Sequence, residues 1–341
     1  MSLILGVDGG NSKAIALVAR TDGSVLGAAR RLGAADIYAE GPDAALAVTR
    51  AAVHEALARA EAGLRDIGQA VFSMAGADWP EDFALLTAAL ADDGFGGPVT
   101  VVNDAIGALA GAVPEGPAVV VSIGTGAATG ARGADGALWH SSFWQAPQGA
   151  GELAHAALAA VVRSELGILP PAPLREALLA ATGDADVEAA LHRFTARSRL
   201  SASVIGPVVR ALLTSAEEGD PVALAVVESH GTGLGEIAAA AARRVGIGEE
   251  AYALSFCGGL ARAGAEVLVG AAVAAVEAAG QSPVRVPPRW EPAVGAVVIG
   301  LHAAGVAVVD EVAARLDETA PDGLIYDVHA TESGPGADPS L

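Results

Sequence analysis

Leu3-Ile-Leu-Gly-Val-Asp-Gly-Gly-Asn-Ser-Lys13 is the stretch on which the fold of this chain turns. A short apolar run that closes on paired glycines reads as a buried strand entering a tight turn. Working outward, Ala14–Ala19 is a second strand, Asp22-Gly23 a hairpin turn, and Val25–Ala29 a third strand, because Asp and Gly tolerate the left-handed backbone such turns need. A helix from about Pro42 to Ala62 follows, with Pro42 suited to its first turn. Then come a strand at Ala70–Met74, a helix at Pro80–Leu90, a strand at Val99–Val102, and Asp104 at the head of another helix.

The same order then restarts. Ala118-Val-Val-Val-Ser-Ile123 is a buried strand closing on Gly124-Thr125-Gly126. Strands at Ala127–Ala131 and Ala137–Trp139 flank a second hairpin turn, Asp135-Gly136. Helices are expected at 152–166, 173–182, 186–195, 201–216 and 219–245, then a strand at Ala253–Cys257, a helix at 260–279, a strand near Val284–Val286 and a closing helix from Pro292 to Leu316. The expected architecture is α/β: two related domains of hairpin-first β/α units facing a central cleft, a glycine turn from each pointing inward. The boundaries read as 1–115 and 116–317, with a helical insertion at about 167–218 and a flexible polar tail at 318–341.

Composition narrows the function. The 341 residues carry 20 basic against 40 acidic side chains, a formal net charge of −20, so the summed field repels nucleic-acid phosphates and anionic membrane surfaces. Cys257 is the only cysteine, which excludes intrachain disulfides, a cysteine-based zinc site and a multi-cysteine iron–sulfur motif. A reducing, cytoplasmic compartment is the economical reading. The N-terminal apolar run lacks a basic flank and is too short for a signal peptide. Ala293–Val309 is the one stretch that tempts a membrane reading; three glycines and His302 interrupt it, so a buried core helix is expected instead.

The glycine turns are where chemistry is expected. Successive backbone amides in Gly9-Gly10-Asn11-Ser12-Lys13 can form an anion-binding concavity, with Asn11 and Ser12 as side-chain donors and Lys13, the sole lysine, as a mobile charge. An ordinary solvent-facing hairpin is the alternative. Gly124-Thr125-Gly126 at the equivalent point of the second repeat weakens that alternative, since two turns can hold a polyphosphate from both sides. Asp8, closing the first strand, is placed either for the Mg²⁺ that accompanies nucleotide phosphates or as a turn cap. Asp104 serves either as a helix cap or as a general base toward a substrate hydroxyl. Gly258-Gly259, between strand and helix, offers a flat platform for a purine ring. Gly231-Thr-Gly233-Leu-Gly235 follows no strand and reads as close helix packing.

In order along the chain, Gly6–Lys13, Val102–Gly107, Ser122–Gly126, Cys257–Ala261 and Pro292–Ala296 resemble the motifs of the sugar kinase, Hsp70 and actin superfamily. More narrowly, the chain resembles the BadF/BadG/BcrA/BcrD ATPase-like family, which includes N-acetylglucosamine and glucosamine kinases. The resemblance implies two ribonuclease H-like, actin-like ATPase domains and an ATP- and Mg²⁺-dependent transfer of the γ-phosphoryl group to a sugar hydroxyl. By it, the two turns bind the β- and γ-phosphates, Asp8 organises Mg²⁺, Gly258 and Gly259 flank the adenosine, and Asp104 deprotonates the acceptor. The implied partner is a small-molecule sugar; the oligomeric state is left open, a homodimer being one option.

The chain also departs from those relatives. Their hexosamine kinases carry a Trp-Gly and then a Gly-Asp-Glu-Gly-Ser block after the second hairpin. Here the stretch is Phe143-Trp-Gln-Ala-Pro-Gln-Gly-Ala-Gly-Glu152, and Gly33-Ala-Ala-Asp36 replaces an Asn-containing segment of the first domain. Asp36, Trp144, Gly149 and Glu152 are therefore the expected acceptor-side residues, with the sugar itself left open. The alternative from another class is a nucleotide-binding regulatory ATPase without sugar transfer.

Overall fold

The computed structural model describes residues 2–197, 200–263, 265–321 and 323–326. The chain forms two compact units, Met1–Val102 with the chain from Ala296 onward, and Asn103–Gly295.

In the first unit the strands are β1 (Leu3–Gly9), β2 (Lys13–Ala19), β3 (Val25–Leu32), β4 (Ile67–Met74) and β5 (Val99–Asn103), in the sheet order β3-β2-β1-β4-β5. β1 pairs antiparallel with β2, Asp8 opposite Ile15, and parallel with β4, Asp8 opposite Ser73. Helices α1 (Ile37–Glu40) and α2 (Pro42–Arg59) join β3 to β4, and α3 (Pro80–Ala91) joins β4 to β5. All but one residue of β2 and all but one of β4 are buried, as expected of strands covered on both faces. Leu5, Phe72, Leu86 and Leu90 are fully buried in its core, each worth about 1.5–3 kcal/mol by removal from water.

The second unit repeats that topology. α4 (Asp104–Ala112) precedes β6 (Ala118–Ile123), β7 (Ala127–Arg132) and β8 (Leu138–His140). Five helices then intervene before β9: α5 (Ala150–Glu165), α6 (Leu174–Thr182), α7 (Val187–Phe194), α8 (Ala202–Glu217) and α9 (Pro221–Arg244). β9 (Tyr252–Cys257), α10 (Gly259–Arg262), α11 (Glu266–Ala278) and β10 (Pro283–Arg285) complete the sheet, in the order β10-β9-β6-β7-β8. β6 pairs antiparallel with β7 and parallel with β9, as β1 does with β2 and β4. Buried Asp220 ties the helical insertion together: it caps α9 by accepting from Val222 N at 2.8 Å and also accepts from Leu174 N at 2.7 Å, where α6 begins.

Both hairpin turns are as read from the sequence, with Gly23 at φ +91° and Gly136 at φ +84°. Each is closed by its aspartate, Asp22 accepting from Ser24 N and Asp135 from Ala137 N, both at 2.9 Å. The Gly231–Gly235 stretch is helix packing, since side chains at Gly231 and Gly235 would strike the carbonyls of Leu268 and Ala272 on α11.

Three expectations are corrected. The single closing helix is two, α12 (Pro292–Ala303) and α13 (Asp310–Thr319). Gly305, at φ +77°, ends α12 with its N–H on the His302 carbonyl at 2.9 Å, and Val306 N reaches Leu301 O at 2.9 Å. The helix expected at 260–279 is likewise broken into α10 and α11. The two compact units part at Asn103, not near 115, because α4 lies against the second sheet: a Cβ on Gly130 would meet Ala105 O at 2.5 Å. The end of α12 and α13 instead join the first unit, Gly300 against Ile4 and Gly23 against Val312. No helix among the described residues is long and apolar enough to cross a membrane, and Ala293, Val294 and Ala296–Val298 of α12 are buried. The tail expected at 318–341 lies beyond 326 outside the described residues.

Candidate nucleotide and acceptor site

In the first unit the turn between β1 and β2 is held by its neighbours. Gly10 N donates to Lys13 O at 2.9 Å, closing the turn. The carbonyls of Gly9, Gly10 and Ser12 accept from Ala75 N, Ala35 N and Gly33 N at 2.7, 2.9 and 3.0 Å. Those bonds bring the turn beside the Gly33–Asp36 loop. At Gly9 a Cβ would meet Met74 Sδ at 2.7 Å and Ala35 Cβ at 3.2 Å, so the end of the Met74 side chain would have to shift. At Gly10 an added Cβ would meet only Lys13 O at 3.6 Å, an ordinary contact. Asn11 is exposed, and Asp8, Ser12 and Lys13 are partly buried.

Asp36 caps α1, its Oδ1 accepting from Tyr38 N at 2.9 Å, and it lies so close over Gly76 that a Cβ there would come within 2.5 Å. Tyr38 in turn donates its hydroxyl to Asp82 Oδ2 at 2.9 Å. Desolvation and that carboxylate push the Tyr38 hydroxyl up to about 12.

In the second unit Asp104 occupies the first position of α4, where the helix dipole favours an anion. It is not the cap. Asn103 is, its Oδ1 accepting from Ala105 N at 3.0 Å while the residue itself is 3% exposed. Adjacent Asn and Asp compete for that role in sequence, since both are strong capping residues. The capping alternative for Asp104 is thus taken by its neighbour.

The turn after β6 is braced differently from the first. Gly124 N donates to Gly126 O at 2.9 Å, and the carbonyls of Gly124 and Thr125 accept from Ala150 N and Gly151 N, in the first turn of α5, at 2.9 and 3.3 Å. Gly149, the residue before α5, is buried directly beneath the turn; a Cβ would run into the carbonyl oxygens of Gly124 and Gly126. Gly124 itself has nothing within 4 Å of an added Cβ. A Cβ on Gly258, at φ +90°, would meet Ile123 O at 2.6 Å, so the Gly258-Gly259 turn is seated beside the end of β6. Gly259, next along, is open.

The residues expected on the acceptor side of this unit follow β8. Phe143 and Trp144 are 57% and 67% exposed on a short turn. Glu152 lies in the first turn of α5 and accepts from Gln148 N at 2.9 Å through Oε2. Sequence reasoning did not single out the residues that hold this segment. Gln145, 3% exposed, accepts from Thr129 Oγ1 at 2.8 Å and donates to Pro147 O at 3.1 Å. Gln148 accepts from Ala127 N at 3.3 Å and donates to Gln145 O at 2.7 Å. The Gln148 carbonyl meets His230 Nε2 of α9 at 2.6 Å. Burial holds His230 below the ordinary histidine value, so the neutral ring donates from Nε2.

Among the described residues no cluster of three His, Cys, Asp or Glu side chains could enclose a metal. A lone carboxylate such as Asp8 suits Mg²⁺, which keeps several waters and takes its remaining ligands from phosphates.

A family model for the BadF/BadG/BcrA/BcrD ATPase family matches residues 5–300. An N-acetylmuramic acid/N-acetylglucosamine kinase of Clostridium acetobutylicum is 28% identical over 144 residues, 42% of this chain and 47% of that protein. The match thus spans about half the length of that curated relative. A candidate N-acetylglucosamine kinase from Chromobacterium violaceum superposes with a TM-score of 0.66 at 20% identity, over 88% of this chain and 99% of that one. A ROK family glucokinase from Streptomyces griseus, solved with glucose and AMPPNP, superposes at 0.56 and 17% identity, over 88% and 98%. At such identities the likeness establishes a shared fold.

Proposed function

From the premise that the chain belongs to the BadF/BadG/BcrA/BcrD ATPase family, we propose that it is an ATP-dependent kinase that phosphorylates a hydroxyl of a sugar, an amino sugar of the N-acetylglucosamine or N-acetylmuramic acid type. The observation that carries this reading is a repetition. Each sheet ends its first strand in a glycine turn, and each turn holds a glycine, Gly10 or Gly124, that neither packing nor a left-handed backbone requires. A glycine kept where the fold has room for a side chain suits the close approach of a ligand to the backbone.

In this reading the amides of Gly9–Lys13 and Gly124–Gly126 take the β- and γ-phosphates, with Asn11, Ser12 and Lys13 adding donors. Gly258 and Gly259 flank the adenosine. Asp8 would hold Mg²⁺, which when bound would neutralise negative charge on the nucleotide phosphates. The acceptor hydroxyl passes its proton to the Asp104 carboxylate as its oxygen bonds to the γ-phosphorus; the bond from that phosphorus to the β-phosphate oxygen breaks and ADP leaves. Little covalent chemistry falls to the protein, so positioning and electrostatics dominate. Asp36, Trp144, Gly149 and Glu152 belong to the acceptor side, Trp144 offering an apolar face to a sugar ring.

One observation favours the second reading, a regulatory nucleotide-binding ATPase: Glu152, the lone acid of the acceptor segment, already accepts a bond from Gln148. A coupled assay for ADP release with a panel of sugars separates the two. Release stimulated severalfold or more by N-acetylglucosamine, N-acetylmuramic acid, glucosamine or glucose supports the kinase; release indifferent to every sugar supports the regulatory ATPase.

A further inference from the structure

Gln148 sits at the meeting point of three parts of the second unit. Its side-chain Oε1 accepts from Ala127 N, the residue that follows the Gly124–Gly126 turn. Its Nε2 donates to Gln145 O, inside the segment that presents Trp144. Its backbone N–H bonds Glu152, and its carbonyl takes the hydrogen of buried His230. The amide orientation is forced, because Ala127 N–H can only donate and the Gln145 carbonyl can only accept. Below this knot, Gly149 lies flush under the turn carbonyls, and the first amides of α5 bond them. Turn and acceptor segment therefore share one hydrogen-bonded frame, in which Gln148 is the node and His230 the anchor.

We propose that Gln148, anchored by His230, is a positioning residue that couples occupation of the acceptor segment to the geometry of the Gly124–Gly126 turn. The inference rests on the kinase reading for the roles of Glu152 and the turn. A sugar hydroxyl that engages Glu152 alters the bond from Gln148 N–H, and the same residue holds the strand immediately after the turn. Binding of sugar and nucleotide then favour one another, by the same factor in either direction. Gln148 is exposed on its own account, so replacing it tests the coupling without opening the core.

The test measures the affinity of a Mg²⁺-bound, non-transferable ATP analogue with and without saturating N-acetylglucosamine, alongside sugar-stimulated ADP release. In the wild-type chain the sugar should tighten analogue binding about fivefold or more. Gln148→Met, which keeps length but cannot bridge, should bring that ratio below about two and lower kcat about tenfold or more. Its affinity for the analogue alone should stay within threefold. Gln148→Glu should behave likewise, since it sets a carboxylate oxygen against the Gln145 carbonyl. His230→Gln, which can still donate to the Gln148 carbonyl, should retain more coupling than His230→Leu. If Gln148→Met retains the wild-type ratio, or the wild-type chain shows no coupling, the proposal is overturned while sugar-stimulated ADP release can still uphold the kinase reading. If no sugar stimulates ADP release, the kinase reading fails and this inference falls with it.

Discussion

The turn after β1 and the turn after β6 occupy the same place in two sheets of the same strand order, yet they are braced by different means. The first leans on loops of its own sheet: Gly33, Ala35 and Ala75 bond its carbonyls, and Met74 fills the space a side chain at Gly9 would need. The second leans on a helix, with Ala150 N and Gly151 N of α5 on its carbonyls and Gly149 pressed beneath. A repeated topology fixes where the glycine turn falls, while the brace beneath it is free to diverge. That divergence matters because the second brace is continuous with Trp144 and Glu152, whereas the first adjoins Asp36.

The largest expected effect tests the residue that neither turn contains. Asp104→Asn keeps shape and leaves the Asn103 cap in place, so turnover should fall roughly 10²–10⁴-fold with nucleotide affinity nearly intact. Steady-state kinetics with a direct nucleotide-binding measurement check it. A loss of only a few-fold would remove Asp104 from the chemistry.

Next in size is the contrast between braces. Gly149→Ala puts a methyl group into two backbone carbonyls, a cost of about 1–3 kcal/mol in a packed site. Gly259→Ala, with open space around it, should leave the melting temperature of the ligand-free protein unchanged. Equal melting temperatures for the two variants would erase the distinction between glycines the fold requires and glycines it does not.

Smaller again is the acceptor effect. Glu152→Gln still accepts from Gln148 N–H but loses its charge, and a hydrogen bond to a charged group is worth about 1.5–3 kcal/mol, so KM for the best sugar should rise about tenfold. A sugar KM indifferent to both Glu152→Gln and Trp144→Ala would take the acceptor away from this segment.

The smallest effect is a pH slope. Burial holds His230 and His140 below the ordinary histidine value, so the folded chain keeps them neutral where the unfolded chain already binds protons. Stability therefore falls as pH drops through about 6.5 and stops falling on this account below the folded values, at a slope of at most about 1.4 kcal/mol per pH unit per group. His230→Gln should flatten the melting-temperature profile between pH 5 and 8; an unchanged profile would assign the slope elsewhere.

How much of this was legible in the sequence differs between backbone and brace. Apolar runs closing on glycines located β1, β6 and β9, and the Asp-Gly pairs located both hairpins, because strand burial and left-handed turns leave local compositional marks. The helices expected at 152–166, 173–182, 186–195, 201–216 and 219–245 match α5 to α9 within two residues at each end, because helical segments bounded by Gly, Pro and Asp also leave local marks. The break between α12 and α13 was not, since Gly305 reads as one more small residue in an Ala- and Gly-rich run until α13 is seen against Gly23. Nor was the knot of Gln145, Gln148, Thr129 and His230. Its members carry no motif, and Gln148 and His230 lie 82 residues apart, so only the fold brings His230 to the Gln148 carbonyl. At Asp104 the sequence left cap and base open, and the cap falls to Asn103, a residue it did not single out, through its Oδ1 on Ala105 N.

The central claim is that Gly10 and Gly124 are kept for a phosphate and not for the fold. Thermal melting of the wild-type chain and of the double variant Gly10→Val, Gly124→Val, each with and without Mg²⁺ and ATP, tests it most directly. A ligand bound only to the folded state stabilises it by about 2.7 kcal/mol at a hundredfold excess over Kd. Both ligand-free proteins should melt together, the wild type should rise by several degrees with nucleotide, and the double variant should not. A nucleotide shift as large in the double variant as in the wild type would contradict the claim and place the phosphates elsewhere.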